Sequence, residues 1–246
     1  MTMIRNNLTK TKPSKCSRAC WLAFLIIVGC SARNESTIES LESSFEEQVL
    51  AVRQGLSVEI RSNALITDTD FQRLHGLDKL EVLSMQKADL TDAIADTLRS
   101  LVGLRQLRLE KAQVANECAD AIGTLSKLTT INLPNSKISD RGLESWPALT
   151  ELILLRIGSP HLRDSAIEIM GRMKALRFLH LIEVPISDSG LKNLYGMTQL
   201  ESFYLDGGST TDRGLSELIQ ALPELHFHRD QQHIPDDPQT DDHGKR

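Results

Sequence analysis

The sequence predicts an α/β solenoid, a stack of short strand–helix units, and three observations support this fold class. An Asp or Asn recurs every 24 residues between positions 68 and 212. Apolar columns accompany it two residues before and six residues after each of these positions. Within each unit the apolar spacing changes from two to three or four, as expected for a strand followed by a helix. A fixed period of this length is typical of stacked supersecondary units.

Each unit opens with the pattern of a short strand. The order apolar-x-x-apolar-x-apolar recurs from unit to unit, for example at Leu104, Leu107 and Leu109. Its last three positions alternate with period two, which predicts a strand with one buried face.

The repeated Asp or Asn precedes a segment with helical spacing, such as Leu191, Leu194 and Met197. We therefore interpret this column as helix N-caps, whose side-chain oxygens accept hydrogen bonds from first-turn amides. A calcium-binding ladder of carboxylates is the alternative, but calcium requires several oxygens converging on one ion. The predicted N-caps are Asp68, Asp92, Asn116, Asp140, Asp164, Asp188 and Asp212.

These motifs resemble the leucine-rich repeat family. The segments Ile-Ser-Asp-Arg-Gly-Leu (138–143) and Ile-Ser-Asp-Ser-Gly-Leu (186–191) are similar to its ribonuclease-inhibitor-like and cysteine-containing types. The resemblance covers residues 55–225, about seven repeats of 24 residues. It implies a right-handed solenoid with parallel strands on the concave face and helices on the convex face. Many members carry Asn or Cys three residues after the strand, where this chain has mostly small residues such as Ala88 and Ala112.

One repeat allows two registers. The strict period buries Leu155, whereas a second frame, which opens at Trp146, buries Leu154. Pro147 disrupts a helix that continues through it. It therefore favours a shortened helix followed by a bulge at 158–160. The sequence leaves both registers open.

A secretory signal peptide is predicted at residues 1–29. Basic residues without acidic ones precede the apolar run Trp21–Val28, which is too short to span a membrane as a mature helix. Ile27-Val28-Gly29-Cys30 resembles a bacterial lipobox, and this resemblance implies that Cys30 is acylated as the first mature residue. Several acyl chains hold a protein stably on a membrane. An ordinary signal peptide that contains a Cys is the alternative.

We therefore expect an exported, membrane-anchored lipoprotein. Ser31 directly after the Cys favours an outer rather than an inner membrane. Ser36 and Glu39 resemble a helix capping box, and Gly55 is suited to end that helix. The remaining predicted segments are a tether at 30–35, an N-terminal capping helix at 36–54, and an edge strand with a disordered tail at 226–246.

Charge and cysteine content exclude several classes of function. The formal net charge is −5, and removing residues 1–29, with five basic and no acidic residues, makes it −10. An acidic body argues against nucleic-acid binding, which needs a basic surface. Because Cys30 is expected to be acylated, only Cys118 keeps a free thiol in the mature chain. It shares a column of small residues, which predicts a buried thiol rather than a reactive one.

The sequence predicts no enzyme, no cofactor and no metal site. It contains no Gly-x-Ser-x-Gly, no His-Glu-x-x-His and no phosphate-binding glycine loop. His226, His228, Asp230 and His233 would coordinate a transition metal only if this segment folded back, and a solvated tail is the preferred interpretation.

A binding site is predicted on the concave face of the later repeats. The outward strand positions are polar in the early repeats and become aromatic and aliphatic later, which is typical of contact surfaces. A loop or the tail folding over this patch is the alternative. The predicted partner-binding residues are Phe178, His180, Ile182, Tyr204 and Asp206.

The predicted function is that of a non-catalytic protein-binding module on a lipoprotein of a bacterial cell envelope. Its ligand is expected to be a protein or peptide, although the sequence leaves a glycan open. A structural envelope component without a discrete partner is one alternative. An adaptor resembling the leucine-rich-repeat proteins of ubiquitin ligases is another.

Overall fold

Nine strands form one sheet whose spatial order is their order along the chain, within the residues that the computed structural model describes, 43–230 and 232–233. The predicted signal peptide, Cys30, the tether and the chain beyond His233 lie outside these residues. The strands are β1 Glu59–Thr67, β2 Val82–Asp89, β3 Gln106–Leu109, β4 Thr130–Leu133, β5 Leu154–Gly158, β6 Phe178–Ile182, β7 Ser202–Asp206, β8 His226–Arg229 and β9 Gln232–His233.

The first eight strands are parallel, and helical segments connect them. The α-helices are α1 Phe45–Arg53, α2 Asp68–Phe71, α3 Ala95–Ser100, α4 Asn116–Ile122, α5 Asp164–Met170, α6 Asp188–Leu191 and α7 Asp212–Ala221. The 3₁₀ segments are Gln72–Leu74, Asp92–Ile94, Asp140–Leu143, Trp146–Ala148 and Lys192–Leu194. The predicted α/β solenoid of leucine-rich-repeat type is confirmed by this arrangement.

In the repeat around Pro147, for which the sequence allows two registers, the strict 24-residue register is correct. From β2 to β8 every paired Cα joins residues 24 positions apart, as in Thr130 with Leu154. Leu155 is fully buried and Leu154 faces outward. The expected shortening of the helix around Pro147 is confirmed, because only 3₁₀ turns occur there. The expected bulge is wrong, since β5 pairs with β6 without interruption through Gly158.

Stacked apolar columns build the core. Both columns that flank the Asp positions are buried in every repeat, from Ile66 to Thr210 before the Asp and from Leu74 to Leu218 after it. Each repeat therefore covers the apolar face of its neighbour, which it cannot bury alone. Trp146 shows this contact directly, because its indole N–H donates to Ala119 O of the preceding repeat at 3.0 Å.

Helix α1 covers the first edge of the sheet. The Gln48 side chain accepts from the Arg61 amide at 2.7 Å and donates to the Arg61 carbonyl at 2.8 Å. It thus replaces the peptide group of a neighbouring strand. The predicted start of the capping helix at Ser36, with Glu39, lies outside the described residues. Ser44 caps α1 in a capping box with Glu47, so the helix begins at Phe45.

Strand β9 pairs antiparallel with β8, placing His233 opposite His228. The predicted edge strand at 226 is therefore formed but is followed by a further short strand. No helix among the described residues has the length and apolarity that a membrane span requires.

The prediction that the Asp column caps its own helices is wrong. Each Asp or Asn is the first residue of its helical segment, and the N-cap is the residue before it. The side chain reaches instead to the next repeat. Asp68 accepts from the Thr91 amide at 2.8 Å, and Asp164 accepts from the Ser187 amide at 2.8 Å. The same contact runs through the column at Asp92, Asn116, Asp140 and Asp188, whereas Asp212 accepts from the Arg229 guanidinium.

Hydroxyl groups extend several of these contacts into the following helix. The Thr91 hydroxyl donates to Asp68 at 2.6 Å and accepts from the Ala93 amide at 3.2 Å. Thr211 joins Asp188 to the Gly214 amide in the same way. A carboxylate of one repeat therefore orients the hydroxyl that caps the helix of the next. Hydrogen bonds in such chains polarise one another.

Asp92 caps the next helix directly. The N-cap position of α4 is Ala115, which has no capping side chain. The Asp92 carboxylate accepts instead from the amides of Ala115 at 2.7 Å, Glu117 at 3.1 Å and Cys118 at 3.3 Å. Charge-assisted bonds of this kind satisfy first-turn donors that have no partner within the helix.

The glycine of the Asp-x-Gly motif makes room for the carboxylate of the preceding repeat. A Cβ atom on Gly190 would overlap the Asp164 carboxylate, and one on Gly214 would overlap the Asp188 carboxylate. Both glycines lack positive φ, so the close approach and not the backbone conformation requires them.

Cys118 occupies the same column and is fully buried. Burial raises the pKa of its thiol, and the nearby Asp92 charge raises it further. The predicted buried, unreactive thiol is consistent with this environment, because the thiolate is the nucleophilic form.

The bond between Asp188 and Thr211 makes stability depend on pH. The Thr211 hydroxyl, and then its amide, hold the pKa of Asp188 below its ordinary value of 3.8. Because the folded state has the lower pKa, this stabilisation is complete above the ordinary value. It is lost as the pH falls through the lowered one.

Asp92→Ala should lower the free energy of unfolding by about 1–2 kcal/mol, because three amides of α4 lose their acceptor. Asp92→Asn should cost less, since Asn116 in the same column accepts the Ser139 amide through its side-chain oxygen. Urea denaturation followed by circular dichroism measures both. Asp96→Ala is the control, because Asp96 is exposed and its only ion pair among the described residues is with Arg99. Equal losses of unfolding free energy for the Asp92 and Asp96 variants, or a melting temperature raised by calcium, would contradict the capping of α4 by Asp92.

Gly190→Ala should destabilise the fold by about 1–3 kcal/mol, because the added methyl displaces the Asp164 carboxylate from Ser187. In an Asp164→Ala background the same substitution should cost clearly less, which a double-mutant cycle detects. Gly196→Ala is the matched control, since no heavy atom lies within 4 Å of its added Cβ. Additive effects of the Gly190 and Asp164 changes would exclude this explanation.

Candidate functional site

The outer side of the parallel sheet, here called the strand face, carries two straight rows of side chains. They are straight because the strands pair in a constant register, 24 residues apart from β2 to β8 and 23 apart from β1 to β2 at these positions. The first row is Glu59, Val82, Gln106, Thr130, Leu154, Phe178, Ser202 and His226. The second row is Arg61, Ser84, Arg108, Asn132, Arg156, His180, Tyr204 and His228.

The five predicted binding residues lie together on this face, on the neighbouring strands β6 and β7. His180 is paired with Tyr204, and Ile182 with Asp206. Phe178 is paired with Ser202, so it is a diagonal neighbour of Tyr204, as the sequence predicts. This places the residues on one surface, but their role in binding stays a prediction.

The surface chemistry changes along the rows. Phe178 is 37% exposed and Ile153, at the adjacent strand end, is 39% exposed. Leu154, Phe178 and Tyr204 line a depression of about 180 Å³ together with Arg156 and His180. A larger groove of about 680 Å³ covers the earlier strands and is lined by both polar and apolar side chains, including Arg61, Arg108 and Arg156. Arg156 therefore lies between this mixed groove and the apolar depression.

Aromatic and imidazole rings hold the later strands in place. The ring of Tyr204 is stacked on that of His228 with centroids 4.4 Å apart and planes 7° apart. Its other neighbour is the His180 ring at 5.4 Å, and His226 contacts His228 edge-on at 4.5 Å. Such contacts stabilise beyond the area that they bury.

A polar chain crosses four strands at the centre of the face. Arg156 donates from Nη1 to Asn132 Oδ1 at 3.0 Å and from Nε to His180 Nδ1 at 3.2 Å. The other ring nitrogen of His180, Nε2, lies 2.8 Å from Asp206 Oδ2. Because Nδ1 accepts from a guanidinium, which is always a donor, the proton of a neutral His180 is on Nε2 and is donated to Asp206.

The arginines of the second row differ in their partners. Arg61 forms an ion pair with Glu59, and Arg108 forms one with Glu110. Arg156 contacts only the neutral groups of Asn132 and His180 among the described residues. The Asp206 carboxylate is on the far side of the His180 ring. Arg156 is thus a half-buried cation without a direct carboxylate partner within the described chain.

Of the four residues considered for metal binding, His233 has its side chain outside the described part of the chain. His226 and His228 approach to 2.7 Å between their Nε2 atoms. Asp230 accepts from the Gly207 amide instead. Within the described part of the chain, no group of three or more His, Cys, Asp or Glu side chains is arranged to hold a metal ion.

Sequence reasoning missed Arg156 and the contribution of His226 and His228 to the strand face. The period contains the signal, because Arg156 lies 24 residues after Asn132 and 24 before His180. A second group of exposed apolar side chains was also missed. It lies near the first strand and consists of Leu50, Leu56, Val58 and Leu65.

Comparisons with known proteins show similarity only at the level of structure. No protein-family model matches the sequence, and a search of curated proteins found no match. An internalin from Listeria monocytogenes is similar with a TM-score of 0.49 and 17% identity, over 76% of this chain and 64% of that one. A leucine-rich-repeat protein from Leptospira interrogans is similar with a TM-score of 0.48 and 16% identity, over 74% of this chain and 56% of that one.

The leucine-rich-repeat ectodomain of the Arabidopsis receptor kinase HAESA, solved with a peptide hormone, is similar with a TM-score of 0.46 and 18% identity. The overlap is 70% of this chain and 29% of that one. The chain therefore spans less than two thirds of each of these three structures. At such identities the function has to be argued from the residues of this chain. Its own period, strand register and buried columns define its fold as a leucine-rich-repeat solenoid.

Proposed function

We propose that this protein is a non-catalytic binding module that captures a protein or peptide partner on the strand face of its later repeats. The observation that carries this proposal is the exposed aromatic and aliphatic group around Phe178 and Tyr204, bordered by Arg156, His180 and Asp206. Interfaces concentrate binding energy in aromatic and Arg side chains that are surrounded by polar ones.

The rigidity of this surface supports the same proposal. Tyr204 stacks on His228 and makes a tilted ring contact with His180, and Arg156 is held by Asn132 and His180. Side chains that are already ordered lose little conformational entropy when a partner binds.

We further propose that the module is displayed as a lipoprotein of a bacterial cell envelope, anchored through Cys30. The motif Ile27-Val28-Gly29-Cys30 after a basic segment and an apolar run supports this proposal. Ser31 after the Cys favours the outer membrane. A lipid anchor would leave the strand face accessible to a partner while keeping the protein at the membrane surface.

Changing Phe178 and Tyr204 together to Ser should reduce partner capture about tenfold or more, because the aromatic centre of the surface is removed. A photo-crosslinking amino acid at Ile182 in living cells, followed by quantification of the partner adduct, measures this loss. The fold should persist, because neither residue belongs to the buried columns. Changing Ser84 and Gln86 to Ala is the control on an early strand. Equal losses from both pairs, or no discrete adduct at all, would overturn this placement of the site.

Cys30→Ala should abolish incorporation of labelled palmitate and release the protein from membranes, because the proposed acylation site is gone. Fractionation in high salt together with lipid labelling measures the change. Cys20→Ala is the matched control, since it removes another cysteine of the same segment and should leave both unchanged. A Cys30→Ala protein that still carries palmitate would rule out the lipoprotein assignment.

A further inference from the structure

We infer that the strand face binds an extended peptide segment with an acidic side chain at Arg156 and an apolar side chain, two residues away, in the depression beside Phe178. This inference rests on the proposed function and specifies the chemistry of the partner. The anionic group and the apolar group follow from different observations, which are given in turn.

The acidic side chain follows from the hydrogen bonding of Arg156. A guanidinium has five N–H donors, and Arg156 uses one for His180 and one for Asn132. Three donors on its Nη atoms have no partner among the described residues. The two bonds hold the planar group in place, so the remaining donors are preorganised for the two oxygens of a carboxylate.

The surroundings of Arg156 favour an anion over a neutral acceptor. Arg61 and Arg108 form ion pairs with Glu59 and Glu110, each two residues away in the chain, whereas the hydrogen-bond partners of Arg156 are neutral groups. His180 offers Arg156 a lone pair on Nδ1 and no negative charge. An acidic partner therefore supplies the charge that the strand face lacks at this point.

The apolar side chain follows from the adjacent depression. Leu154, Phe178 and Tyr204 line it, with Arg156 and His180 at its margin. Phe178 remains 37% exposed there, and an apolar side chain of the partner would cover it. Burial of that area stabilises binding independently of the charge.

The spacing follows from the register of the sheet. Arg156 is paired with His180, and Phe178 is two residues before His180 on the same strand. Diagonal neighbours of this kind are about 7–8 Å apart. An extended peptide rises about 3.3 Å per residue, so residues two positions apart match this separation and also point to the same side. The expected motif, here called acidic-x-apolar, is an Asp or Glu separated by one residue from an aliphatic or aromatic residue, in either order.

Selection of a random peptide library on the full-length protein tests this motif. The protein is purified in mild detergent and immobilised through its C-terminus, and the peptides are displayed within a carrier so that they have no free carboxyl terminus. We expect enrichment of the acidic-x-apolar motif. A selected peptide and its Glu→Gln or Asp→Asn form are then titrated against each protein variant.

Arg156→Gln should weaken the binding of the acidic peptide about tenfold or more. The neutral form of the peptide should bind the unaltered protein about as weakly as the acidic peptide binds the variant. Arg156→Gln tested with the neutral peptide should lose little further affinity, since the two changes remove the same interaction. Arg108→Gln is the matched control, because Glu110 already pairs with Arg108, and it should change affinity by less than about twofold. The peptide substitution needs no protein variant, so it remains decisive if Arg156→Gln fails to fold.

The outcomes separate this inference from the proposed function. Peptides that require Phe178 and Tyr204 but contain no acidic residue, or that bind Arg156→Gln unchanged, would overturn the motif and leave the binding function standing. Enrichment only of peptides with a free carboxyl terminus in a second library would replace the acidic side chain by a terminal carboxylate and also overturn the motif. Failure to enrich any peptide dependent on the strand face would overturn both.

Discussion

The hydrogen bond from the Asp or Asn of one repeat to the backbone of the next is the interaction on which the rest of the structure depends. Apolar burial holds neighbouring repeats together, but it is not directional and does not by itself set their relative position. The carboxylate does so, because Asp164 meets the amide of Ser187 and Asp68 meets that of Thr91, each 23 residues later. The small residues two positions after the column in the later repeats follow from the same contact, since Gly190 lies against the Asp164 carboxylate and Gly214 against that of Asp188.

Alignment between repeats also creates the strand face. No single repeat contains a site, because each strand contributes only one or two outward side chains near any given position. When the register repeats without a shift, Asn132, Arg156 and His180 stand on successive strands and meet as one hydrogen-bonded chain. The same alignment stacks Tyr204 on His228. A shift of one residue in a single repeat would turn its outward side chains inward and interrupt both arrangements.

The fold and the position of the candidate site were predictable from the sequence because the period survives in every repeat. The direction of the Asp side chains was not. A cap within a repeat and a contact between repeats use the same residue type at the same spacing, and only the Ser or Thr before most of these Asp residues, such as Thr91, indicated a separate N-cap. The role of Arg156 was also missed, because its partners lie on other strands. The register of the repeat around Pro147 could be decided only from the pairing of β5, because Leu154 and Leu155 are both apolar.

The side chain of Gln48 at one end of the sheet and the short reversed strand β9 at the other have a consequence for assembly. A parallel sheet built from identical units has two complementary ends, and such ends join head to tail into open filaments when they remain accessible. Here the side-chain amide of Gln48 hydrogen-bonds to the backbone of Arg61 on β1. At the other end, the last parallel strand, β8, pairs with the antiparallel strand β9. Each described end of the repeat array is therefore partly capped. When many copies are crowded together, such ends offer another copy fewer free strand groups than uncapped ends would.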